Sequence, residues 1–390
     1  MEGDFITIHK GLLPFSWLYG IGVRFRNQLY DLGILKSRAF DVPVISVGNI
    51  TVGGSGKTPH VEYLINLLKD NVQVAVLSRG YKRKSKGYVL ADADTTMPMI
   101  GDEPYQMKKK FPKVHVAVDK NRVEGIDRLT TDEETCSTDV ILLDDAYQHR
   151  KVKPGINILL VDYHRLIIYD QLLPAGRLRE PKQGKNRADI VIVTKCPKDL
   201  KPMEFRVLTK AMNLYPYQKL YFTTLNYKDL KPVYCGDKRK LEDIKPEENI
   251  LLITGIASPR QIIYDLKPYS EHIVPMTFGD HHQFTKKDIQ KINERFAEMP
   301  EPKIAITTEK DNARLFGMEG LSDELRHHLF VLPVEIGFML DQQEEFNQKI
   351  IGYVRKNSRN SILVKGKDDH KPANSNRAGN GSRTISFRNN

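Results

Sequence analysis

Thr51-Val52-Gly53-Gly54-Ser55-Gly56-Lys57-Thr58 decides how the chain folds. The apolar run Val44-Ile45-Ser46-Val47 before it reads as a buried strand, and Val61, Leu64, Ile65 and Leu68 after it fall on one helix face. Strand, glycine-rich loop and helix, in that order, are what a phosphate-binding P-loop requires. Gly53, Gly54 and Gly56 let backbone N–H groups converge on phosphate oxygens at a helix N-terminus. Thr51, Val52 and Ser55 complete the loop, Lys57 would neutralise β/γ-phosphate charge, and the Thr58 hydroxyl would hold Mg²⁺. The general pattern opens on Gly, but here Thr51 stands in that place.

Working outward, residues 72–77, 114–118, 140–143, 156–161 and 190–193 are β-branched runs separated by helical or loop stretches, the pattern of a parallel sheet covered on both faces. Near Tyr221 the texture changes. After a polar, Pro- and Lys-bearing segment, a second α/β series begins at Ile250, with strands at 250–254, 273–274, 304–307 and 330–334 and helices from Pro259 and Thr285. The expected fold is therefore α/β: a P-loop NTPase-like α/β/α domain with a mostly parallel sheet, plus a second, smaller α/β domain. The expected segments are an amphipathic helical stretch at 1–40, the P-loop domain at 41–225, the smaller domain at 226–340, a final helix at 341–356 and a basic tail at 357–390.

The chain has 390 residues, 40% hydrophobic and 28% charged, and carries a formal net charge of +11. This composition is globular, and no apolar run is long enough to span a membrane. From Arg355 onward nine Lys/Arg face two Asp, so this Asn-, Ser- and Gly-rich end supplies +7 of the +11. It lacks apolar periodicity and reads as disordered. Three scattered cysteines (Cys136, Cys196, Cys235) suit buried thiols rather than disulfides or zinc. In the N-terminal segment, Leu18, Ile21, Phe25, Leu29 and Leu32 form an apolar helical stripe beside Trp17 and several Lys/Arg. Such a helix lies either in a membrane interface or against its own domain.

Val140-Ile141-Leu142-Leu143-Asp144-Asp145 is an apolar strand ending in two carboxylates, the form expected of the Mg²⁺-holding partner of a P-loop. Gln148 and His149 follow and would line the same pocket. Gly101-Asp102-Glu103-Pro104 puts two acids on a loop, where proline biases Glu103 toward an extended backbone; one acid would act as base and the other as metal ligand, unless the stretch is a solvated turn. Residues 172–181 include Arg177, Arg179 and Glu180, a loop suited to clamping phosphate or an acidic substrate, or to an internal Arg–Glu ion pair. Ser78-Arg79-Gly80-Tyr81-Lys82-Arg83-Lys84 is a basic stretch for an anionic headgroup, with single-stranded nucleic acid as the rival reading.

Taken with Gly48-Asn49, Asp280-His281-His282 and Thr308-Glu309-Lys310-Asp311, these stretches resemble, in content and order, the tetraacyldisaccharide 4'-kinase (lipid A 4'-kinase) family of Gram-negative bacteria. The resemblance covers most of residues 10–350, and the family also carries Thr at the position of Thr51. Ala146 and Arg177 depart from its usual Gly and Pro. The resemblance implies transfer of the γ-phosphate of ATP, with Mg²⁺, to the 4'-hydroxyl of a tetraacylated disaccharide 1-phosphate, and peripheral attachment to the cytosolic face of the inner membrane. It favours the membrane reading of the N-terminal helix. It implies that Asp102 and His281 form a dyad taking the hydroxyl proton, with Lys57 on the phosphates. Thr58 and Asp144 or Asp145 would hold Mg²⁺, with Glu103 a further candidate, and Arg79, Tyr81, Gln148, His149, Arg179 and Glu180 would contact substrate. No nucleic acid or obligate protein partner is expected. The rival class is a P-loop switch or metal-delivery GTPase; Thr194-Lys195-Cys196-Pro197 sits where such proteins read guanine, but Pro197 replaces the required aspartate.

Overall fold

The computed structural model describes residues 6–256, 259–280 and 282–358. Strands β1 (Val44–Gly48), β2 (Val74–Ser78), β3 (Val89–Leu90), β4 (His115–Val118), β5 (Val140–Asp144), β6 (Ile156–Asp162), β7 (Ile190–Thr194) and β8 (Lys219–Tyr227) are followed by β9 (Lys231–Pro232), β10 (Asn249–Thr254), β11 (Ile273–Thr277), β12 (Lys303–Thr308), β13 (Leu329–Leu332) and β14 (Val334–Phe338). They form a nine-stranded sheet in the order β14-β8-β7-β6-β1-β5-β2-β4-β3 and a five-stranded sheet in the order β11-β10-β12-β13-β9. Leu225–Glu335 is one compact unit, and the chain on either side of it forms the other.

In the larger unit β1 pairs in parallel with both β5 and β6, and β2 with β4 and β5; β3 runs antiparallel at the edge. β1, β2, β5 and β7 are buried at every position, because helices cover both faces. Alternate residues serve the two faces. Ile45, Val47, Val76 and Leu142 pack with Val61, Leu64, Ile65 and Leu68 of the P-loop helix (Lys57–Leu68). Val44, Leu77, Ile141 and Leu143 pack instead with Ile126 and Leu129 of the helix Arg122–Thr131. Each such buried side chain stabilises the fold by roughly 1.5–3 kcal/mol. The last helix, Gln343–Asn357, returns to the first face and puts Phe346, Ile350 and Val354 into the same core as Ile45. The smaller unit is likewise parallel except for β9 and has a core on each face of its sheet.

Three expectations change. The run at 330–334 is not one strand: Pro333, which has no N–H for a ladder, separates β13 from β14. Asp102 and Glu103 do not lie on a loop but open the helix Asp102–Lys110, so Glu103 is helical rather than extended. Pro104 falls in the first turn, where its missing N–H would have had no partner in any case. Of the cysteines only Cys196 is buried; Cys136 and Cys235 are exposed.

The N-terminal helix α1 (Leu13–Asp31) buries only Ser16 and Gly20. Its inward face is small and polar. Ser16 Oγ donates to the Leu172 carbonyl at 2.9 Å and accepts from the Ala175 N–H at 2.8 Å, and Tyr19 donates to the Arg179 carbonyl at 2.8 Å. A Cβ on Gly20 would come within 2.7 Å of Leu172. Phe15, Trp17, Leu18, Ile21 and Phe25 point outward, with Trp17 65% and Phe25 61% exposed. The apolar stripe read from the sequence thus faces away from the body. No described helix is long and apolar enough to cross a membrane.

Tyr353 of the last helix hydrogen-bonds Val44 of β1, and its ring lies against Gly155, where an added Cβ would stand 2.0 Å from the phenol oxygen. Gly155→Ala should therefore cost roughly 1–3 kcal/mol in urea unfolding. An unchanged midpoint would show that this contact does not hold the helix down.

Candidate active site

β1 and β5 are in a register that places Val47 beside Asp144, so the loop after β1 and the acids after β5 emerge on the same sheet edge. Ser78, ending β2, joins them there through its hydroxyl, which donates to Asp144 Oδ2 at 3.1 Å. This is the carboxyl-end location where doubly wound sheets bind ligands.

The loop itself is held by side chains that its own sequence does not contain. Asn49 Nδ2 donates to Ser55 Oγ at 2.8 Å and to Thr51 Oγ1 at 3.3 Å. Gln148 Nε2 donates to the Asn49 carbonyl at 2.6 Å. Thr51 makes an antiparallel bridge with Leu178, and Val52 donates to the Arg177 carbonyl at 2.8 Å. Thr51 has no positive φ, which explains why the usual first glycine is dispensable; Gly53 and Gly56 do have one, at 115° and 80°. Behind the loop, Thr194 donates to the Ser55 carbonyl at 3.0 Å, and Lys195 Nζ bridges the Gly54 carbonyl and Asp162, the latter at 2.7 Å. His60, buried, sees the Gly56 carbonyl through Nδ1 at 2.7 Å and Thr223 Oγ1 through Nε2 at 3.1 Å. Burial pushes its pKa down to about 4, so it is a neutral clamp at the start of the helix.

Lys57 and Thr58 open the P-loop helix with N–H groups directed at the loop. Lys57 Nζ lies 3.6 Å from Asp145 Oδ1, and Arg179 Nη1 lies 3.4 Å from Asp145 Oδ2. Burial pushes Asp145 up, but Lys57, Arg179 and Arg122 outweigh it and hold the group below its ordinary value. Asp144 behaves oppositely. It is fully buried; loss of hydration, then the charges of Glu103 and Asp145, raise its pKa well above the carboxylate range against the smaller pull of Lys57 and Ser78. Its Oδ1 is buried without a hydrogen-bond partner; so is Asp145 Oδ1, but that oxygen faces Lys57 and its neighbour Oδ2 faces Arg179. The two acids are thus distinguished by charge: Asp145 already lies between two cations, whereas Asp144 has an oxygen that no ion pair compensates. Asp145 also adopts φ 47°, a left-handed conformation that suits a short polar side chain at a site.

Arg122, which the sequence did not single out, lies buried behind this pair, donating to the carbonyls of Asp119 and Asp144. Burial lowers its pKa to about 10, against the raising influence of Asp144 and Asp145. Asp102 is 7% exposed and its Oδ1 accepts the Glu103 N–H at 3.0 Å. Glu103 is close enough to Asp144 to raise its pKa. Arg79 and Tyr81 are exposed on the loop after β2, while Arg83 turns inward to the carbonyls of Val118 and Gly87 and holds that loop's shape. Glu180 is buried and paired with Arg187 at 2.7 Å, so the internal Arg–Glu pair exists, with Arg187 as the cation. His149 is half-buried; burial, then the charges of Arg122 and other nearby cations, push it down to about 4.

In the smaller unit, Asp311 accepts from Thr254 at 3.1 Å and Thr308 at 2.7 Å and pairs with the buried Arg314 at 3.3 Å. A Cβ on Gly255 would meet both Asp311 Oδ1 and the Gly279 carbonyl at 3.1 Å, so this cluster supports the loop after β11. On that loop His282 pairs with Asp288 at 3.0 Å and stacks on Phe278 at 4.9 Å, an anchoring role. His281 lies outside the described residues.

No group of three His, Cys, Asp or Glu side chains is arranged for a metal among the described residues. Mg²⁺ beside a nucleotide needs fewer protein ligands, because phosphate and water supply the rest.

The raised pKa of Asp144 has a stability consequence. Well below pH 4 the acid is protonated in folded and unfolded chains alike; as pH rises through about 4, the unfolded chain ionises first and the ligand-free fold is penalised. Asp144→Asn should therefore raise the ligand-free Tm by about 2–4 °C or more at pH 8. That gain should shrink toward pH 4 and vanish by about pH 3. Equal gains at both ends of this range would refute a buried, hard-to-ionise Asp144.

Three comparisons show which known proteins the chain is similar to. The profile of the family described as tetraacyldisaccharide-1-P 4'-kinase matches residues 8–355. Proteins named tetraacyldisaccharide 4'-kinase from Phocaeicola vulgatus and Bacteroides thetaiotaomicron are 60% and 54% identical, over 93% and 95% of this chain and 99% and 100% of their own. A crystal structure of LpxK from Aquifex aeolicus in complex with ATP is similar at TM-score 0.65 and 34% identity, covering 88% of this chain and 98% of that one.

Proposed function

Because the chain belongs to the tetraacyldisaccharide-1-P 4'-kinase family, we propose that it transfers the γ-phosphate of ATP to the 4'-hydroxyl of a tetraacyldisaccharide 1-phosphate. The observation that carries this reading is the pairing of a braced P-loop with a buried acid, Asp144, that keeps one oxygen unpartnered on the same sheet edge.

Phosphoryl transfer is loose, so positioning and charge neutralisation do most of the catalytic work. The loop amides of residues 51–58 would cradle the phosphates, and Lys57, steered by Asp145, would neutralise their β/γ charge. Thr58 and Asp144 would hold Mg²⁺, with Glu103 near enough to assist; bound there, the ion would draw charge off the transferring phosphoryl group. Arg179 is tied to Asp145 and comes from the loop that pairs with Thr51, so it is positioned to follow any shift of the phosphates. Asp102 and His281 would take the hydroxyl proton, and Arg79 and Tyr81 would contact the substrate headgroup. Gln148 and Glu180 act through the loops they hold. Pro197, standing where guanine readers need aspartate, argues against the switch-GTPase alternative.

The test is transfer from γ-labelled ATP to detergent-solubilised lipid. Lys57→Ala should lower labelling by roughly 100-fold or more, and His281→Ala should lower turnover with little change in ATP binding. ATP hydrolysis without lipid labelling would sink the kinase reading.

The exposed face of α1 supports attachment to a membrane surface, where a protein acting on an acylated lipid must work. Trp17→Glu with Phe25→Glu should weaken sedimentation with anionic vesicles by about tenfold or more, leaving ATP binding intact. Unchanged sedimentation would remove α1 from that role.

A further inference from the structure

Gln148 and His149 are neighbours in sequence but serve different spaces. Gln148 reaches the carbonyl of Asn49 beside the P-loop, while His149 lines a cavity of about 670 Å³ in the larger unit. The wall of this cavity comes from the stretch after α1 (Gly33, Leu35 and Lys36), from the chain after Asp145, and from the starts of β6 and β7. Its size falls within the ~300–1,000 Å³ typical of small-molecule sites.

Three polar atoms of the lining are buried without a hydrogen-bond partner: Ser46 Oγ, Asn157 Oδ1 and His149 Nε2. Ser46 is 2% exposed and stands in the middle of β1, where its neighbours are apolar. Leaving such atoms unsatisfied costs roughly 1–3 kcal/mol each. Their chemistry is specific. Asn157 Nδ2 donates to the Arg187 carbonyl at 3.2 Å, which fixes the amide so that its free atom is the acceptor Oδ1. A hydroxyl or amine must therefore donate to it, while the Ser46 hydroxyl and the neutral His149 imidazole can complete the other bonds of such groups.

The same lining carries Lys36, Arg150, Lys153 and Arg187 against one carboxylate, Asp189. Arg150 and Arg187 already pair with Asp31 and Glu180, and Asp189 is turned to the Asn157 N–H at 2.8 Å, so the net positive charge left in the lining is carried by Lys36 and Lys153. Hydroxyl-accepting groups at depth and ammonium groups at the rim fit one class of small molecule. We propose that this cavity binds a hydroxylated sugar ring bearing a phosphate monoester, with the ring on Ser46, Asn157 and His149 and the phosphate on Lys36 and Lys153.

Two sources present this chemistry: the 1-phosphate end of the lipid disaccharide, which rests on the kinase reading above, and a free sugar phosphate, which does not. Calorimetric titration of the full chain with glucosamine 1-phosphate tests the site directly. Saturable binding should be weakened about tenfold or more in Lys36→Ala/Lys153→Ala and retained in Lys57→Ala. If the double variant also raises the KM for lipid, with kcat and the KM for ATP unchanged, the cavity holds the 1-phosphate end of the substrate. If the lipid KM is unchanged while probe binding is lost, the occupant is a free sugar phosphate. Absent binding, or equal binding in wild type and the double variant, would mean that the cavity holds water alone and would overturn the inference. Failure of the kinase reading is separate, since it is read as missing lipid label in the wild type.

Discussion

The register between β1 and β5 is the constraint on which the site depends. Val47 opposite Asp144 sets the end of one strand level with the end of the other, so the phosphate loop and the acids leave the sheet together. Strands alternate faces, and a shift of one residue would drive Asp144 into the layer that now holds Leu143. The buried interiors of β1 and β5, apolar but for Ser46, forbid that shift, because an unpaired carboxylate there would be far more costly than any hydrogen bond it could regain. The core thus fixes the chemistry by making every other alignment worse.

Around that edge the charges are arranged unequally. Asp145 is surrounded by Lys57, Arg179 and Arg122 and stays ionised, while Asp144, one residue earlier, is deprived of water and faces other acids. Adjacent residues of one type therefore differ in what they can do. One orders the cations of the loop; the other is under-compensated in a way that a divalent ion with its nucleotide would relieve. Such local instability within an otherwise well-packed sheet is usual where a site must bind charge.

Much of this was legible in the sequence because local pattern encoded it. The P-loop, the strand ending in Asp144-Asp145 and the parallel α/β class follow from apolar runs, glycine spacing and order along the chain. What escaped were partners that meet only through tertiary contact. Arg122 reaches the Asp144 carbonyl across 22 positions and Lys195 reaches the Gly54 carbonyl across 141, so no window of sequence brings them together. Pro104 misled because a proline after an acid reads as a loop, yet the first turn of a helix accepts it equally well. The apolar stripe of α1 was visible, but not which way it faced. That was decided by Ser16 and Gly20, whose small inward surface fits against Leu172 and Ala175 where no larger side chain would.

The closing helix Gln343–Asn357 carries a consequence for the order of synthesis. Phe346, Ile350 and Val354 complete the core that Ile45 and the P-loop helix begin, some three hundred residues earlier in the chain. On the ribosome, Leu225–Glu335 can therefore close its own core while the part of the larger sheet that this helix covers is still open. The P-loop helix, made directly after β1, already shields Ile45, Val47 and Val76. What waits is the rest of that core, around Tyr221, whose ring meets Phe346 at 5.4 Å, so the unfinished nucleotide domain, rather than the inserted one, is the natural client of a chaperone.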